Sequence, residues 1–241
     1  MRLRLLALAL VLAVPAFAGT PDYSAAIGDA KRPASDTARD AARKPADMLA
    51  FAEVKPGEKV MDLIPGGGYF TRLFAASVGP TGHVYAYQPS EFDSYLKGKE
   101  PPANAVAKDF PNVSVVRASV NSLAVPEKLG LIWTAQNYHD LKNGGGADPA
   151  AVNKAAFKAL KHGGLYIVVD HAAAAGTGAR DTSTLHRIDE ATVKAEILAA
   201  GFVFLGSSDV LRNPADDHSQ AVFDPAIRGH TDQFVLKFKK P

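Results

Sequence analysis

The sequence has no cysteine among its 241 residues, so disulfide staples, thiolate nucleophiles and zinc–cysteine centres are all excluded. It has no G-x-S-x-G string, which removes the nucleophile elbow of serine hydrolases. Neither H-x-H nor H-E-x-x-H occurs, so a dense histidine ligand motif for zinc is lacking as well. Charge of one sign is lacking too. Lys and Arg number 27 against 25 Asp and Glu, and without Arg2 and Arg4 the two signs balance. That balance gives no electrostatic reason for nucleic acid or an anionic membrane as a partner. Internal repeats and low-complexity tracts are missing.

One long apolar run is present, Leu5 to Val14, preceded by Arg2 and Arg4 and followed by Pro15 and Ala16-Phe17-Ala18. A positive start, a short apolar stretch and an A-x-A site form a secretory signal peptide over residues 1–18. A membrane span needs about 20 apolar residues, and this run is shorter. The expectation is an exported protein, periplasmic or secreted, with no stable membrane insertion once the signal is removed. With 47% hydrophobic residues the remainder can bury a sizeable core. Residues 19–43 are polar and read as a flexible arm leading to a helix around Thr37 to Ala52; the domain proper is expected over 44–241.

From Pro56-Gly57 onward, apolar β-type runs alternate with helical stretches. Strands are expected at Lys59–Ile64, His83–Gln88, Val113–Arg117, Leu129–Thr134 and Leu165–Asp170. Helices are expected at Tyr69–Val78, Glu91–Phe110 in broken form, Pro149–Lys161 and Glu190–Ala200. Phe202–Leu205 and Phe234–Phe238 follow with no helix between them. Alternation of this kind implies βαβ units. The fold class is α/β: one Rossmann-like, doubly wound, mainly parallel sheet with an antiparallel C-terminal edge hairpin.

The segment Val60 to Thr71 runs from a hydrophobic strand through Pro65-Gly66-Gly67-Gly68 into a helix start. Glycines let a backbone approach a ligand closely, and a helix N-terminus offers free N–H groups. The dinucleotide fingerprint G-x-G-x-x-G fails at its third position, which Thr71 occupies, and this disfavours NAD. Asp62, four residues before Gly66, together with Gly66 and Gly68, resembles the D/E-x-G-x-G-x-G motif of class I S-adenosylmethionine-dependent methyltransferases. Gly79-Pro80-Thr81-Gly82 before the second strand and Leu160-Lys161-His162-Gly163-Gly164 before the fifth are similar to turns of that family. Pro65 to Thr71, Gln136 to Leu141 and Leu211 to Asp217 resemble a bacterial group described as predicted methyltransferases. The resemblance implies S-adenosylmethionine as cofactor, methyl transfer to a small molecule or an envelope acceptor, and Asp62, Gly66, Gly67, Gly68, Gln88, Ser119 and Asn137 around the cofactor. Two departures stand out: Ile64 takes the place of the first glycine, and Gln88 that of the acid that usually holds the ribose hydroxyls. Glu91 is a candidate substitute.

Polar groups should gather at the carboxyl ends of the strands. His139 is the candidate general base, because imidazole titrates near working pH; a purely structural histidine is the alternative of equal weight. Asp140 would orient His139 or bind the acceptor. Asp140 and Asp170 also resemble the metal-holding acids of cation-dependent O-methyltransferases. No metal ligand set is assigned. Asp216-Asp217-His218 sits in a late polar loop placed to act as a lid, while His186 and Arg187 precede a helix capped by Asp189 and read as local structure. Two other functions compete: a binding protein that keeps the fold without turnover, and, last, a metal-dependent hydrolase built on His139, Asp140, Asp170 and His171.

Overall fold

The computed structural model describes residues 21–241, so the expected signal peptide lies outside the described residues. Four helices come first: α1 Ser24–Ile27, α2 Ala34–Thr37, α3 Asp40–Arg43 and α4 Pro45–Phe51. Then follow β1 Lys59–Leu63, α5 Tyr69–Val78, β2 His83–Pro89, α6 Asp93–Leu96, α7 Ala103–Asp109, β3 Val113–Ala118 and β4 Leu129–Ala135. The chain closes with α8 Pro149–Ala159, β5 Leu160–His171, α9 Glu190–Ala199, β6 Val203–Ser208 and β7 Gln233–Lys239.

The seven strands form one sheet in the order β3-β2-β1-β4-β5-β7-β6. All pairings from β3 to β5 are parallel, and β7 runs antiparallel to both β5 and β6. Chain order reverses between β1 and β4, where the path leaves one half of the sheet for the other. Both faces are covered, as parallel sheets require. In β4, Ile132 points into the apolar layer with Val152, Ala156, Val193 and Ile197 of α8 and α9, while Leu131 and Trp133 point into the layer with Phe70, Phe74 and Val78 of α5. The period of two in the sequence thus becomes two cores separated by one sheet.

The stretch expected to be a loose arm is instead folded from Tyr23 onward. Tyr23 is buried and donates to the carbonyl of Val54 at 2.8 Å. Buried charges fasten the rest: Arg32 pairs with Asp40, and Asp36 pairs with Arg39 at 2.7 Å and with Arg72 of α5 at 2.9 Å. Polarity suggested solvent here, but these charges meet one another against α5. The single helix expected from Thr37 to Ala52 is broken at Lys44, which adopts φ 47°. A residue before proline is driven out of the right-handed helical region, and Pro45 starts a fresh helix. Helix α8 stops at Ala159 and β5 starts at Leu160, earlier than expected, because Leu160 pairs with Leu129 across an irregularity in the ladder.

Removing Asp36 strands the buried Arg72 beside it. The Asp36→Ala variant is expected to lose about 3 kcal/mol of stability in urea unfolding, far beyond the effect of a solvated surface charge. A loss below about 1 kcal/mol would mean that the segment is not docked as described.

Candidate functional site

The loop between β1 and α5 opens at the point where strand order reverses. Gly66 and Gly67 face open space: a Cβ on either would meet nothing within 4 Å. Gly68 differs. Its φ is +79°, and a Cβ there would collide with the Val106 side chain, so packing against α7 fixes it. Asp62, Ile64, Gly66, Gly67 and Asn137 line a cavity of about 260 Å³. Ile64, Gly66 and Asp140 also line a second cavity of about 530 Å³, which Gln88, His139 and His186 complete with a largely apolar wall. The two cavities therefore share a border at the glycine loop.

Ile64 has φ +60°. The β-branched residue takes up the left-handed conformation that a glycine would adopt without penalty, so the loop keeps its path at a cost of about 1–2 kcal/mol. Two bonds hold it: its N–H donates to the Tyr87 carbonyl at 2.9 Å, and its carbonyl accepts from Asn137 Nδ2 at 3.0 Å. Asn137 Oδ1 accepts in turn from Thr134. Asn137 is thus a clamp between the loops after β1 and β4, with both ends of its amide engaged.

Asp62 is buried, and its Oδ2 accepts from Thr71 Oγ1 at 2.6 Å. Burial pushes its carboxyl up to about 6, although the Thr71 hydrogen bond and the Arg43 charge both act to lower it. Gln88 is buried on the wall of the larger cavity. Ser119 lines neither cavity; its hydroxyl donates to Glu91, whose other oxygen accepts from the Val120 N–H at 3.0 Å. Glu91, the candidate substitute for the ribose acid, turns onto the end of β3 rather than into the cavities. Of the residues expected around a cofactor, Asp62, Gly66, Gly67, Gln88 and Asn137 lie on the cavity walls; Gly68 and Ser119 do not.

His139 opens a single 3₁₀ turn after β4 and is almost wholly buried. Asp170, at the end of β5, accepts from the His139 N–H at 2.7 Å and from its Nδ1 at 2.9 Å, as well as from the His171 N–H at 2.8 Å. Asp170 rather than Asp140 therefore orients this imidazole. Burial alone would lower the pKa of His139, but the Asp170 carboxylate and then Asp140 outweigh it, and the net shift is upward. Burial likewise works to raise Asp170, yet His139 holds it below the usual carboxylate range. Asp170 is committed to these N–H groups, and His171 Nδ1 is 2.8 Å from the Thr231 hydroxyl. The ligand quartet His139, Asp140, Asp170 and His171 does not assemble, nor does a cation site shared by Asp140 and Asp170.

The remaining wall includes residues whose role the sequence did not disclose. His186 reaches the site with its Nδ1 3.3 Å from His139 Nε2. Its neighbours behave as local structure: Asp189 caps α9 by accepting from the Ala191 N–H, and fully buried Arg187 pairs with Asp216 at 2.9 Å. Those anchors, with His218 on Asp232 at 3.0 Å, hold the late polar loop so that Val222 and Phe223 face the larger cavity. Arg43, from the presumed arm, lines the smaller one and bonds to Gln136.

No family model matches the chain. Over 37 residues it is 51% identical to the ubiquinone/menaquinone biosynthesis C-methyltransferase UbiE of Burkholderia vietnamiensis, a match spanning 15% of each protein. Solved structures align over much more of it. A SAM-dependent methyltransferase from Aquifex aeolicus superposes with a TM-score of 0.57 at 17% identity, covering 84% of this chain and 98% of that one. The chain has the Rossmann-like methyltransferase fold. The [4+2]-cyclase SpnF is similar as well, with a TM-score of 0.60 at 18% identity over 83% of this chain and 81% of its own. A SAM-dependent O-methyltransferase from Thermotoga maritima gives 0.51 at 16% identity, over 82% and 64%. Identities this low carry architecture and nothing more, and a cyclase among the neighbours shows that the architecture does not dictate the reaction.

Two measurements check the local physics. At position 64, glycine should be more stable than alanine by about 1 kcal/mol in chemical denaturation, the reverse of their order inside a strand or helix. Equal stabilities would mean that the left-handed turn is not present in solution. The second concerns pH. Asp62, raised to about 6, contributes stability that is full below the usual carboxylate value and is lost as pH rises to about 6. His171, pulled down to about 4 chiefly by burial, contributes stability that is full above the usual imidazole value and is lost as pH falls to about 4. The two oppose one another between pH 4 and 6. Relative to the parent, Asp62→Asn should make stability climb more steeply with pH across that window, and His171→Gln should flatten or invert the slope. Parallel profiles for all three proteins would contradict both assignments.

Proposed function

We propose that this protein is an S-adenosylmethionine-dependent methyltransferase acting on a small, largely apolar acceptor. The observation that carries the reading is the pair of adjoining cavities at the strand-order reversal, one floored by open glycines and the other walled by apolar side chains, with His139 and Asp140 at the second. The fit to the cofactor rests on the glycine floor, where added side chains would project into open space. Gly66, Gly67 and Asp62 would hold the cofactor, with Gln88 on the neighbouring wall. When bound, it supplies an electrophilic methyl group on a sulfonium sulfur. The chain's own task is alignment, since displacement at carbon depends above all on the approach of the acceptor. Phe92, Leu96, Val222 and Phe223 exclude water around the acceptor, and His139 with Asp140 faces its reacting atom. The named activities of the Aquifex and Burkholderia proteins point in the same direction. The small-molecule acceptor agrees with the near-balanced charge, which offers nothing for nucleic acid.

The pattern of Arg2, Arg4, Leu5 to Val14 and Ala16-Phe17-Ala18 supports a site of action outside the cytosol. A second reading, cofactor-fold binding without turnover, is favoured by Gln88, whose neutral amide replaces a charge-assisted bond roughly twice as strong.

Titration calorimetry with S-adenosylmethionine and with its demethylated product tests the cofactor site. Micromolar binding of both, weakened at least tenfold by Gly66→Val, is the expected result. Absence of binding at millimolar cofactor would overturn the methyltransferase reading. Binding unaffected by Gly66→Val would move the cofactor away from this loop.

A further inference from the structure

We propose that His139, His186 and Asp140 form a binding site for one divalent transition-metal ion at the floor of the larger cavity. Three atoms converge there: His139 Nε2, His186 Nδ1 and Asp140 Oδ1. Their separations are 3.3 Å between the two nitrogens, 3.4 Å from His139 to Asp140 and 3.8 Å from His186 to Asp140. Points so spaced lie on a circle of about 2.0 Å radius, which matches the ~2.0–2.2 Å bonds that imidazole nitrogen and carboxylate oxygen make to zinc and its neighbours in the first transition row. An ion just above the plane of the three atoms would reach all of them with little side-chain movement.

Hydrogen bonding leaves these atoms underused. Asp170 is buried and its Oδ1 lies 2.9 Å from His139 Nδ1, so that nitrogen is engaged and Nε2 is the one that faces His186 and Asp140. Asp140 receives one long contact, 3.4 Å from Asn143 Nδ2. Two imidazole nitrogens and a carboxylate oxygen thus meet within 3.8 Å of one another. Metal-bound histidines commonly give their second N–H to a carboxylate, which fixes the ring and raises its basicity. Asp170 stands in that relation to His139.

The donor set also selects the ion. Two imidazoles and one carboxylate suit zinc, iron, manganese or cobalt better than magnesium or calcium, which favour oxygen alone. All three ligands come from one side, and the other side opens onto the cavity lined by Phe92 and Phe223. Open coordination positions facing a substrate cavity distinguish catalytic from structural metal sites. Those positions would accept an oxygen or nitrogen donor of the acceptor, defining it as an apolar molecule with one such group. This last step rests on the methyltransferase reading; the metal site does not. With an ion bound, His139 Nε2 is a ligand and not a base.

The test uses the protein stripped with a chelator and titrated calorimetrically with zinc chloride, then with cobalt chloride followed by visible absorption. The expected result is one ion per chain at micromolar or tighter affinity, with a cobalt d–d spectrum of low coordination number. Binding should weaken at least 100-fold in both His186→Ala and Asp140→Asn and remain intact in His162→Ala, a histidine remote from the cluster. Because His186 and Asp140 are half-exposed, their loss should leave the circular dichroism melt in place; if either variant fails to fold, the other carries the comparison. Absence of saturable binding, or equal binding by parent and both variants, would overturn the site. Binding of S-adenosylmethionine to the stripped protein is measured in parallel: metal failing while cofactor binds removes only the metal site, and the converse removes only the methyltransferase reading.

Discussion

The buried Asp170 carboxylate is the constraint on which the site depends. It lies at the end of β5 without solvent and meets three N–H donors, two from His139 and one from His171. A lone carboxylate could not remain ionised there, since its desolvation would cost several kcal/mol and favour protonation. The donors keep it charged, and the charge in turn fixes the tautomer of His139 and ties the turn after β4 to the end of β5. One side chain therefore decides where the loop runs, which way the imidazole points and which of its nitrogens faces the cavity. Removing it would not simply delete a hydrogen bond; it would leave three buried N–H groups without partners.

The same economy applies one strand away. Parallel strands β1 and β4 separate at their carboxyl ends because their connections leave in opposite directions, and a crevice opens between them. Asn137 closes the base of that crevice by bonding both Thr134 and the carbonyl of Ile64. The Ile64 backbone is held in a left-handed turn, and Gly66 and Gly67 are left free of packing. Strain at Ile64 and freedom at the glycines belong together: a turn forced by hydrogen bonds lets the following residues stand clear of the core. Further along, the demand reverses at Gly68, where helix α7 comes so close that no side chain fits. Three neighbouring glycines thus serve two different purposes, two for access and one for close packing.

Legibility in the sequence follows the range of the interactions involved. Strands and long helices were readable because each owes its form to a period of two or 3.6 and to burial on its own faces, and the antiparallel end of the sheet followed from two strands without a helix between them. That Asp62, Gly66 and Gly67 share one cavity wall was readable because strand, loop and helix are contiguous. Three things were not. The segment before Lys44 looked solvated because its charges find partners at Arg72, well beyond any local window. Gly68 and Ser119 were expected around the cofactor from the resemblance, while their neighbours, Val106 and Glu91, come from other elements. Asp140 looked like the acid that orients His139, yet it meets the ring at Nε2, 3.4 Å away, while the acid that fixes Nδ1 comes from another strand.

His186 shows most plainly why such residues escape. Its immediate context is a helix entry: Asp189 caps α9, and Arg187 is consumed by Asp216. Every neighbour of His186 is accounted for structurally, which makes the whole segment look structural. Yet those engagements are what leave His186 unable to retreat. With Arg187 buried on one side and the capped helix starting on the other, its backbone takes φ +55° and its ring is turned toward His139, centroid to centroid 5.4 Å. On its outer side the ring meets Phe223, 4.8 Å away, which the Arg187–Asp216 pair helps to hold in place. A side chain placed by anchored neighbours keeps its orientation while its Nδ1 meets His139 Nε2 at 3.3 Å. That is the arrangement in which an imidazole nitrogen can serve something that is not part of the fold.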